Sequence, residues 1–484
     1  MNWAYIANTP PPPPTPKQRW NALTTTYAAK PLRLVLLEVL GLLADPLSDV
    51  AAPLVKHSVV VVVDTEAWTA NTDEMTEIGL VVAEYNHGKE LNGDLGDYGE
   101  NVLKKMRYYH LRICENAHLK RNVEWMRGAE GNRFGASRFV TFAEARSILN
   151  FILNQPIISG DPDLAGLKRP VILMGHAVAH DQDNMAKSGL QYNFKKHGTV
   201  VAEIDTQAMV KEAGCWIDKK SPGNDIGLDK LCEQVFGFAH EDAHTALNDA
   251  ARTIICGVNL ALRNYIKKDT TISTTKTMQD VALALESHTQ TAFSSTWGTV
   301  FCCTRCGSRT HSNIECTAAV YCNACERFDT APPSTAKQRH ISSHIEPFCI
   351  HIAEFNAWKR RVFDAHRKKN ELPPGPPTES HPRSNWKGKW PMEEAEDVLA
   401  PEMSEMERVE RLRSKGEVVV KAKPLASVKV VVRQSGARER ALEGKKMNGR
   451  LEMGTERSGS TTDGSRGSSE GAVGSDDVWN GTAW

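Results

Sequence analysis

Acidic residues that directly follow hydrophobic runs are the first candidates for chemistry in this sequence. Asp64 and Glu66 follow the valine-rich run 58–63, whose β-branched residues predict a buried strand. Residues i and i+2 of an extended chain point to the same side, so both carboxylates can face one metal site. Asp181 follows a second predicted strand, 171–174, and stands at the start of a predicted helix.

His244 and Asp249 form a third element, at the entry to a predicted amphipathic helix over 245–262. An α-helix has about 3.6 residues per turn, so both side chains face one site only if His244 lies at or before the helix start. Clustered carboxylates repel one another unless cations neutralise them, and oxygen ligands suit Mg²⁺ or Mn²⁺. Two such ions about 3.5–4 Å apart can hold a phosphodiester and activate water.

The elements that position these residues predict an α/β domain over 57–268. Two strands come first, and helices and strands then alternate, which indicates a mixed sheet flanked by helices. The hydrophobic segment 32–43 predicts a helix packed on this domain, because no apolar run reaches the roughly 18–20 residues of a membrane span. The predicted strands are 58–63, 78–83, 171–174 and 200–204, and the predicted helices are 141–152, 228–236 and 245–262.

Composition divides the rest of the chain. Lysine plus arginine equal aspartate plus glutamate at 59 each, so net charge does not indicate a nucleic-acid-binding protein. The tails bury little and offer docking sites for a protein partner. The predicted parts are a disordered proline-rich arm (1–30), a helical lead-in (31–56), a linker with one helical stretch (269–300), a Cys/His segment (301–351) and a mostly disordered tail (352–484).

The three acidic elements together resemble the DEDDh exonucleases of the ribonuclease H-like fold. That family has Asp-x-Glu, then a Gly-His segment ending in Asp, then His-x-Ala-x-x-Asp. Here these are Asp64-Thr-Glu66, Gly175-His-Ala-Val-Ala-His-Asp181 and His244-Thr-Ala-Leu-Asn-Asp249. The family spacing favours Asp181 over the neighbouring Asp183. The segments 110–118 and 134–139 further resemble a fungal branch, the Gfd-type proteins.

This resemblance implies the role of each residue. Asp64 would bridge two Mg²⁺ or Mn²⁺ ions, Glu66 and Asp249 would complete one site, and Asp181 would support the other. His244 would be the general base toward the attacking water. The expected activity is 3′–5′ exonuclease action on single-stranded RNA or DNA, with RNA somewhat favoured, releasing 5′-monophosphates. The alternative is a catalytically silent domain that binds nucleic acid as an adaptor.

A basic stretch between residues 104 and 138 interleaves cations with aromatic side chains. Aromatic rings stack on bases and cations meet phosphates, a combination that suits single strands. The alternative is an ordinary solvated face over a hydrophobic stripe. The residues predicted to contact nucleic acid are Arg112, Lys120, Arg121, Arg127 and Arg133.

Seven of the eleven cysteines lie between residues 302 and 349, which indicates metal binding in a reducing, intracellular compartment, the nucleus or the cytoplasm. Cys303, Cys306, His311 and Cys316 have the spacing C-x2-C-x4-H-x4-C. This resembles the zinc knuckle, in which three thiolates and one imidazole close a tetrahedral Zn²⁺ site. Zinc knuckles commonly contact single strands, so this segment is expected to hold substrate near the exonuclease domain.

A second set, Cys322, Cys325, His344 and Cys349, repeats this ending after a longer loop. His340 could replace His344, or join it in a site without Cys349. A competing scheme would bind a single zinc ion instead of two and would leave His311 and Cys316 unused. That scheme joins Cys303, Cys306, Cys322 and Cys325 as a zinc ribbon.

Overall fold

A six-stranded mixed sheet organises the fold in the computed structural model, which describes residues 13–120, 127–216, 225–268, 275–292, 295–328 and 334–369. In chain order, β1 to β6 are Val59–Trp68, Asn71–Glu84, Arg107–Ile113, Ser137–Val140, Val171–Gly175 and Val200–Asp205. The order across the sheet is β4-β3-β2-β1-β5-β6, with β2 antiparallel to both neighbours and the other pairs parallel. The predicted mixed sheet of an α/β, ribonuclease H-like fold is confirmed.

Helices cover both faces of this sheet. The helices α1 to α14 are Pro16–Ala29, Leu32–Val39, Ala52–Val55, Asn86–Lys89, Glu100–Lys105, Phe142–Leu153, Val178–Lys187, Thr206–Ala213, Leu228–Lys230, Ala246–Lys268, Met278–Ala292, Asn323–Phe328, Thr335–Ile341 and Ile350–Lys369. A π-helical turn, Leu231–Phe236, continues α9. Alternate valines of β1 pack on opposite sides of the sheet: Val60 and Val62 belong to the core with α10, while Val61 belongs to the core with α6 and α7.

The structure corrects the predicted proline-rich arm, because α1 occupies much of residues 1–30. Thr15 and Gln18 form a reciprocal capping box at its start, which satisfies backbone donors that a helix end would leave free. Leu23 and Tyr27 are buried in the core beside α2. The remaining part of that prediction, residues 1–12, lies outside the described residues.

Two further boundaries differ from the prediction. Helix α11 buries Met278, Val281 and Leu285 in the main core, so it belongs to the domain and is not part of a linker. Helix α14 extends the Cys/His segment to Lys369, into the region predicted to be mostly disordered. Within the described residues, no helix is both long enough and apolar enough to cross a membrane. The rest of that tail, 370–484, lies outside the described residues.

Candidate active site and metal centres

Glu66, His244 and Asp249 bring one ligand atom each within 4.8 Å of one another. Glu66 lies near the end of β1, and Asp249 projects from the first turn of α10; both are buried. His244 lies just before α10 with φ 61°, a left-handed conformation that costs energy in a non-glycine residue and is often found at functional sites. Its side chain is 49% exposed, with Nδ1 3.6 Å from Glu66 Oε1.

The Asp249 carboxylate is held by two donors. His240 Nε2 lies 2.8 Å from Oδ1, and the backbone N–H of His244 donates to Oδ2 at 3.0 Å. The His240 side chain is buried, so it fixes the orientation of a carboxylate that would otherwise rotate. His240 was not predicted as a site residue from the sequence. The one feature that could have indicated it is its position four residues before His244.

Asp181 is buried, 5% exposed, and accepts hydrogen bonds from the backbone N–H and the hydroxyl of Thr65, both at 2.8 Å. The pairing of β1 with β5 ends at Val62, so no β5 partner reaches the Thr65 amide. Asp183 is exposed instead and forms an ion pair with Lys187 one turn later. The geometry therefore places Asp181, and not Asp183, beside the strand that carries Glu66.

Asp64 is half-buried on β1 and pairs in register with Gly79 of β2. A Cβ on Gly79 would lie 2.2 Å from the Ala246 carbonyl oxygen, so a glycine is required for α10 to reach the sheet here. Asp64 and Asp181 are outside the group formed by Glu66, His244 and Asp249. The structure thus gathers the five predicted residues around one strand end but brings only three into ligand distance.

A buried pair that the sequence analysis missed anchors the start of α10. Glu77 Oε2 lies 2.9 Å from His110 Nε2 and accepts the backbone N–H of Ala246 at 3.3 Å. The other ring nitrogen of His110 lies 2.7 Å from the Ser137 hydroxyl. These contacts link β2, β3, β4 and α10, and they fix the helix that carries Asp249.

The carboxylates fit a divalent cation on electrostatic grounds. The pKa of Asp181 is raised to about 7: burial raises it most, the Thr65 hydrogen bonds oppose this increase, and the nearby Asp249 carboxylate adds to it. Two buried, mutually repelling carboxylates with a third at Glu66 form the anionic oxygen set that Mg²⁺ or Mn²⁺ prefers.

The raised pKa predicts that Mn²⁺ stabilises the protein more at about pH 8 than at about pH 5.5. The folded-state pKa of Asp181 exceeds its ordinary value of 3.8, so its contribution to metal-free stability is fully present below that value. That stability is lost as the pH rises through about 7, and a bound cation offsets the loss. Thermal unfolding with and without Mn²⁺ measures this, and equal shifts in Tm at both pH values would contradict it.

Two Cys/His sets are assembled as the preferred scheme expected. Cys303, Cys306, His311 and Cys316 form one group, and Cys322, Cys325, His344 and Cys349 form the other, with ligand atoms of each set within 4.8 Å of one another. Three thiols and one imidazole at this separation are the donors that a closed zinc site uses. The zinc ribbon pairing does not occur among the groups formed by the described residues.

The electrostatics of the first set favour the ligand form of one of its cysteines. The hydrogen bond with His311 lowers the pKa of the Cys316 thiol to about 6, which favours the thiolate. His344 Nε2 lies 3.6 Å from Cys325 Sγ, within the second set. The His340 ring lies edge-on to the His344 ring, with ring centroids 5.3 Å apart, and His340 groups separately with Cys325 and His351. The geometry therefore favours His344 as the ligand.

Several residues of the basic stretch meet carboxylates that are distant in sequence. Arg133 lies 2.9 Å from Glu241, 3.1 Å from Asp242 and 2.9 Å from Glu286, and Arg127 joins Asp242 at 3.7 Å. Through its ion pair with Glu286, the Arg133 guanidinium connects the loop before β4 to α11. These ion pairs neutralise the charge of Arg133 and so disfavour the predicted contact with phosphates, which stays a prediction.

The other three predicted contact residues differ from one another. Arg112 lies 2.9 Å from Glu130 and its guanidinium carbon lies 4.6 Å from the ring centroid of Phe139. Lys120 is exposed. Arg121 lies outside the described residues. A nucleic-acid contact through these side chains stays a prediction.

The Cys/His segment packs on the sheet edge and on the end of β1. Trp68, two residues after Glu66, is 1% exposed and forms a small core with Leu119 and Ala357 of α14. Arg360 of α14 forms an ion pair with Asp73. The segment is therefore part of the wall beside the candidate active site.

Comparison with known proteins shows which family the sheet domain is similar to. Residues 59–260 match the family model described as DNA polymerase III subunit epsilon-like, C-terminal domain, of the DEDDh type. This match supports the DEDDh exonuclease family. The matched DEDDh segment runs from β1 into α10 and includes all five predicted catalytic residues. Membership of that family would imply a metal-dependent nuclease with a nucleic-acid substrate. No curated protein matches the chain.

Proposed function

We propose that the DEDDh segment is a Mg²⁺- or Mn²⁺-dependent 3′–5′ exonuclease that releases 5′-monophosphates from single-stranded nucleic acid, with RNA somewhat favoured. The observation that carries the proposal is the approach of Glu66, His244 and Asp249 to within ligand distance of one another. The family match over 59–260 supports it independently. The resemblance to the Gfd-type proteins gives no further information about the substrate.

The position and charge of each site residue indicate its role in the proposed reaction. Divalent ions, when bound, supply Lewis acidity and activate a water. Glu66 and Asp249 would hold one ion, and Asp64 and Asp181 would complete the set around the phosphodiester. His244, with its exposed imidazole beside Glu66, would take the proton from the attacking water. His240 would keep the Asp249 carboxylate in position.

A matched pair of variants tests the role of Asp181. Asp181→Asn removes a buried carboxylate and is expected to lower nuclease activity with Mn²⁺ by about 10²-fold or more, in the range seen when one stabilising group is lost. Asp183→Asn changes an exposed acid two residues away and is expected to change the rate by less than about twofold. If both variants lost activity equally, Asp181 would have no special role. Single-turnover release of labelled nucleotides measures both.

We propose further that each Cys/His set binds one Zn²⁺ ion and that the segment aids substrate binding. The donor sets carry this proposal, since each gathers three thiols and one imidazole. A closed zinc site stabilises a segment whose own core is small, here Cys322, Ala324, Cys325, Ile341 and Cys349.

Elemental analysis tests the zinc proposal. The full-length chain is expected to contain two Zn²⁺ ions, and Cys316→Ser and Cys349→Ser are each expected to lose one. Cys215→Ser, in a half-buried cysteine outside both sets, is the control and should keep two. A single ion that survives Cys316→Ser would instead support the zinc ribbon.

A further inference from the structure

One row of paired residues leads from the candidate active site across the sheet. Glu66 pairs with Glu77, and Glu77 pairs with Arg112 on β3. Arg112 pairs in turn with Phe139 on the edge strand β4. Directly paired residues point to the same side of a sheet. With strands roughly 4.8 Å apart, the row places Arg112 about 10 Å and Phe139 about 14 Å from Glu66.

A cleft of about 330 Å³ lies at the far end of this row, between the DEDDh segment and the first Cys/His set. This volume is in the range of small-ligand sites and suits one nucleobase with its sugar. We call it the edge cleft. Its lining includes Arg112, Lys120 and Phe139 from the DEDDh segment, with Phe301, Thr304 and Asn313 from the Cys/His side.

The chemistry of the edge cleft matches a nucleotide. The ring of Phe301 is 40% exposed, although a phenylalanine gains by burial. Glu130 holds the Arg112 guanidinium beside the Phe139 ring, so this guanidinium presents a flat surface. Bases stack on aromatic rings and on arginine planes, and an exposed lysine such as Lys120 meets phosphate.

The walls of the edge cleft are fixed to each other. Thr299 and Phe139 exchange two backbone hydrogen bonds of 2.8 and 2.9 Å. Arg309 donates to Glu144 at 2.8 Å and to the Phe139 carbonyl at 2.9 Å. Thr299 and Arg309, which make these contacts, lie on either side of Phe301 in the sequence. The cleft is therefore preformed, and a ligand loses little free energy to ordering it.

We propose that the edge cleft binds a nucleobase of the single strand whose 3′ end lies at Glu66 and Asp249. This inference rests on the proposed exonuclease function. A span of roughly 10–14 Å corresponds to about three or four nucleotides at a stacked rise of about 3.4 Å per nucleotide. The Cys/His segment thus acts as a rigid part of the substrate path, with Phe301 as its stacking surface.

Binding of labelled single strands of two to ten nucleotides tests this inference, using the full-length chain with Asp249→Asn so that the strand stays intact. Affinity is expected to rise when the strand grows past about four nucleotides. Phe301→Ala is expected to remove this gain, weakening binding of the longer strands by about 5- to 100-fold. Phe301→Tyr keeps an aromatic ring and should therefore retain the gain in affinity for the longer strands. Ile314→Ala is the matched control, at a side chain that is 97% exposed and outside the cleft lining.

The outcomes separate the two proposals. If strands are cleaved by the wild-type chain but Phe301→Ala, folded and zinc-loaded, binds long strands as tightly as the parent, the edge cleft is wrong and the exonuclease stands. If strands bind with the expected dependence on length and on Phe301 but are never cleaved, the exonuclease is wrong and the cleft stands. Photo-crosslinking of a thiouridine four nucleotides from the 3′ end should label the lining of the edge cleft, either residues 299–316 or the opposite wall formed by Arg112, Lys120 and Phe139. Labelling outside this lining would overturn the assignment.

Discussion

A chain ended after residue 300 is expected to lose about 3–5 kcal/mol of unfolding free energy, and with it most of its activity. The reason is Trp68, which α14 helps to bury. A tryptophan buries about 150–250 Å², which at about 25 cal/mol per Å² of apolar surface is worth about 4–6 kcal/mol. Leu119 keeps part of this burial in the shorter chain, so the expected loss is smaller. Since domains are stable by only about 5–15 kcal/mol, this loss is a large fraction of the total. Trp68 also lies two residues after Glu66, so its release disturbs the candidate site.

Denaturant unfolding of three chains checks this expectation. A chain ended after residue 369 keeps α14 and should match the full-length protein. A full-length chain with Ala357→Glu, which places a charge in the small core around Trp68, should be destabilised like the shorter chain. A chain of residues 1–300 that unfolds at the same denaturant concentration as the full-length protein would show that the Cys/His segment is a separable module.

Asp249→Asn is expected to lower the rate of nucleotide release by about 10³-fold or more while the fold is retained. The substitution keeps the size of the side chain but removes the charge that would hold a divalent ion. It also places an amide N–H near His240 Nε2 or the His244 backbone N–H, which both donate to Asp249. Either change displaces a group that acts together with Glu66, and losses within such a unit are large.

Single-turnover kinetics with saturating Mn²⁺ measure this effect. Glu241→Gln is a suitable control, because Glu241 is an exposed acid close in sequence that pairs with Arg133. It should leave the rate within about twofold of the wild type. An Asp249→Asn chain that retained more than a tenth of the activity would exclude this carboxylate as a metal ligand.

The parts of the fold predicted from sequence are those set by local pattern. The valine run gave β1 because β-branched residues buried on both faces suit a central strand. The predicted helix 141–152 corresponds to α6, and in the structure Thr141 and Glu144 form a capping box at its start. Asp64 and Glu66 were expected to follow this strand, because an acidic pair after such a run breaks the pattern, and they lie within the last five residues of β1.

The parts that sequence could not reveal depend on contacts between distant residues. β3 lies within the basic stretch, where Arg133 suggested a nucleic-acid contact but pairs with Glu241, Asp242 and Glu286 in the fold. Gly79 has no motif around it, and only the approach of Ala246 shows its purpose. The packing of α14 on Trp68 joins segments nearly three hundred residues apart in sequence, which no local pattern encodes.

The products formed from a 5′-labelled single strand in the presence of Mn²⁺ decide whether the protein is a 3′–5′ exonuclease. We expect a ladder that shortens one nucleotide at a time from the 3′ end, with nucleoside 5′-monophosphates released. The ladder should be absent without divalent metal and with Asp249→Asn. A strand that binds the zinc-loaded wild-type chain but stays intact would exclude the exonuclease and identify a silent nucleic-acid-binding adaptor.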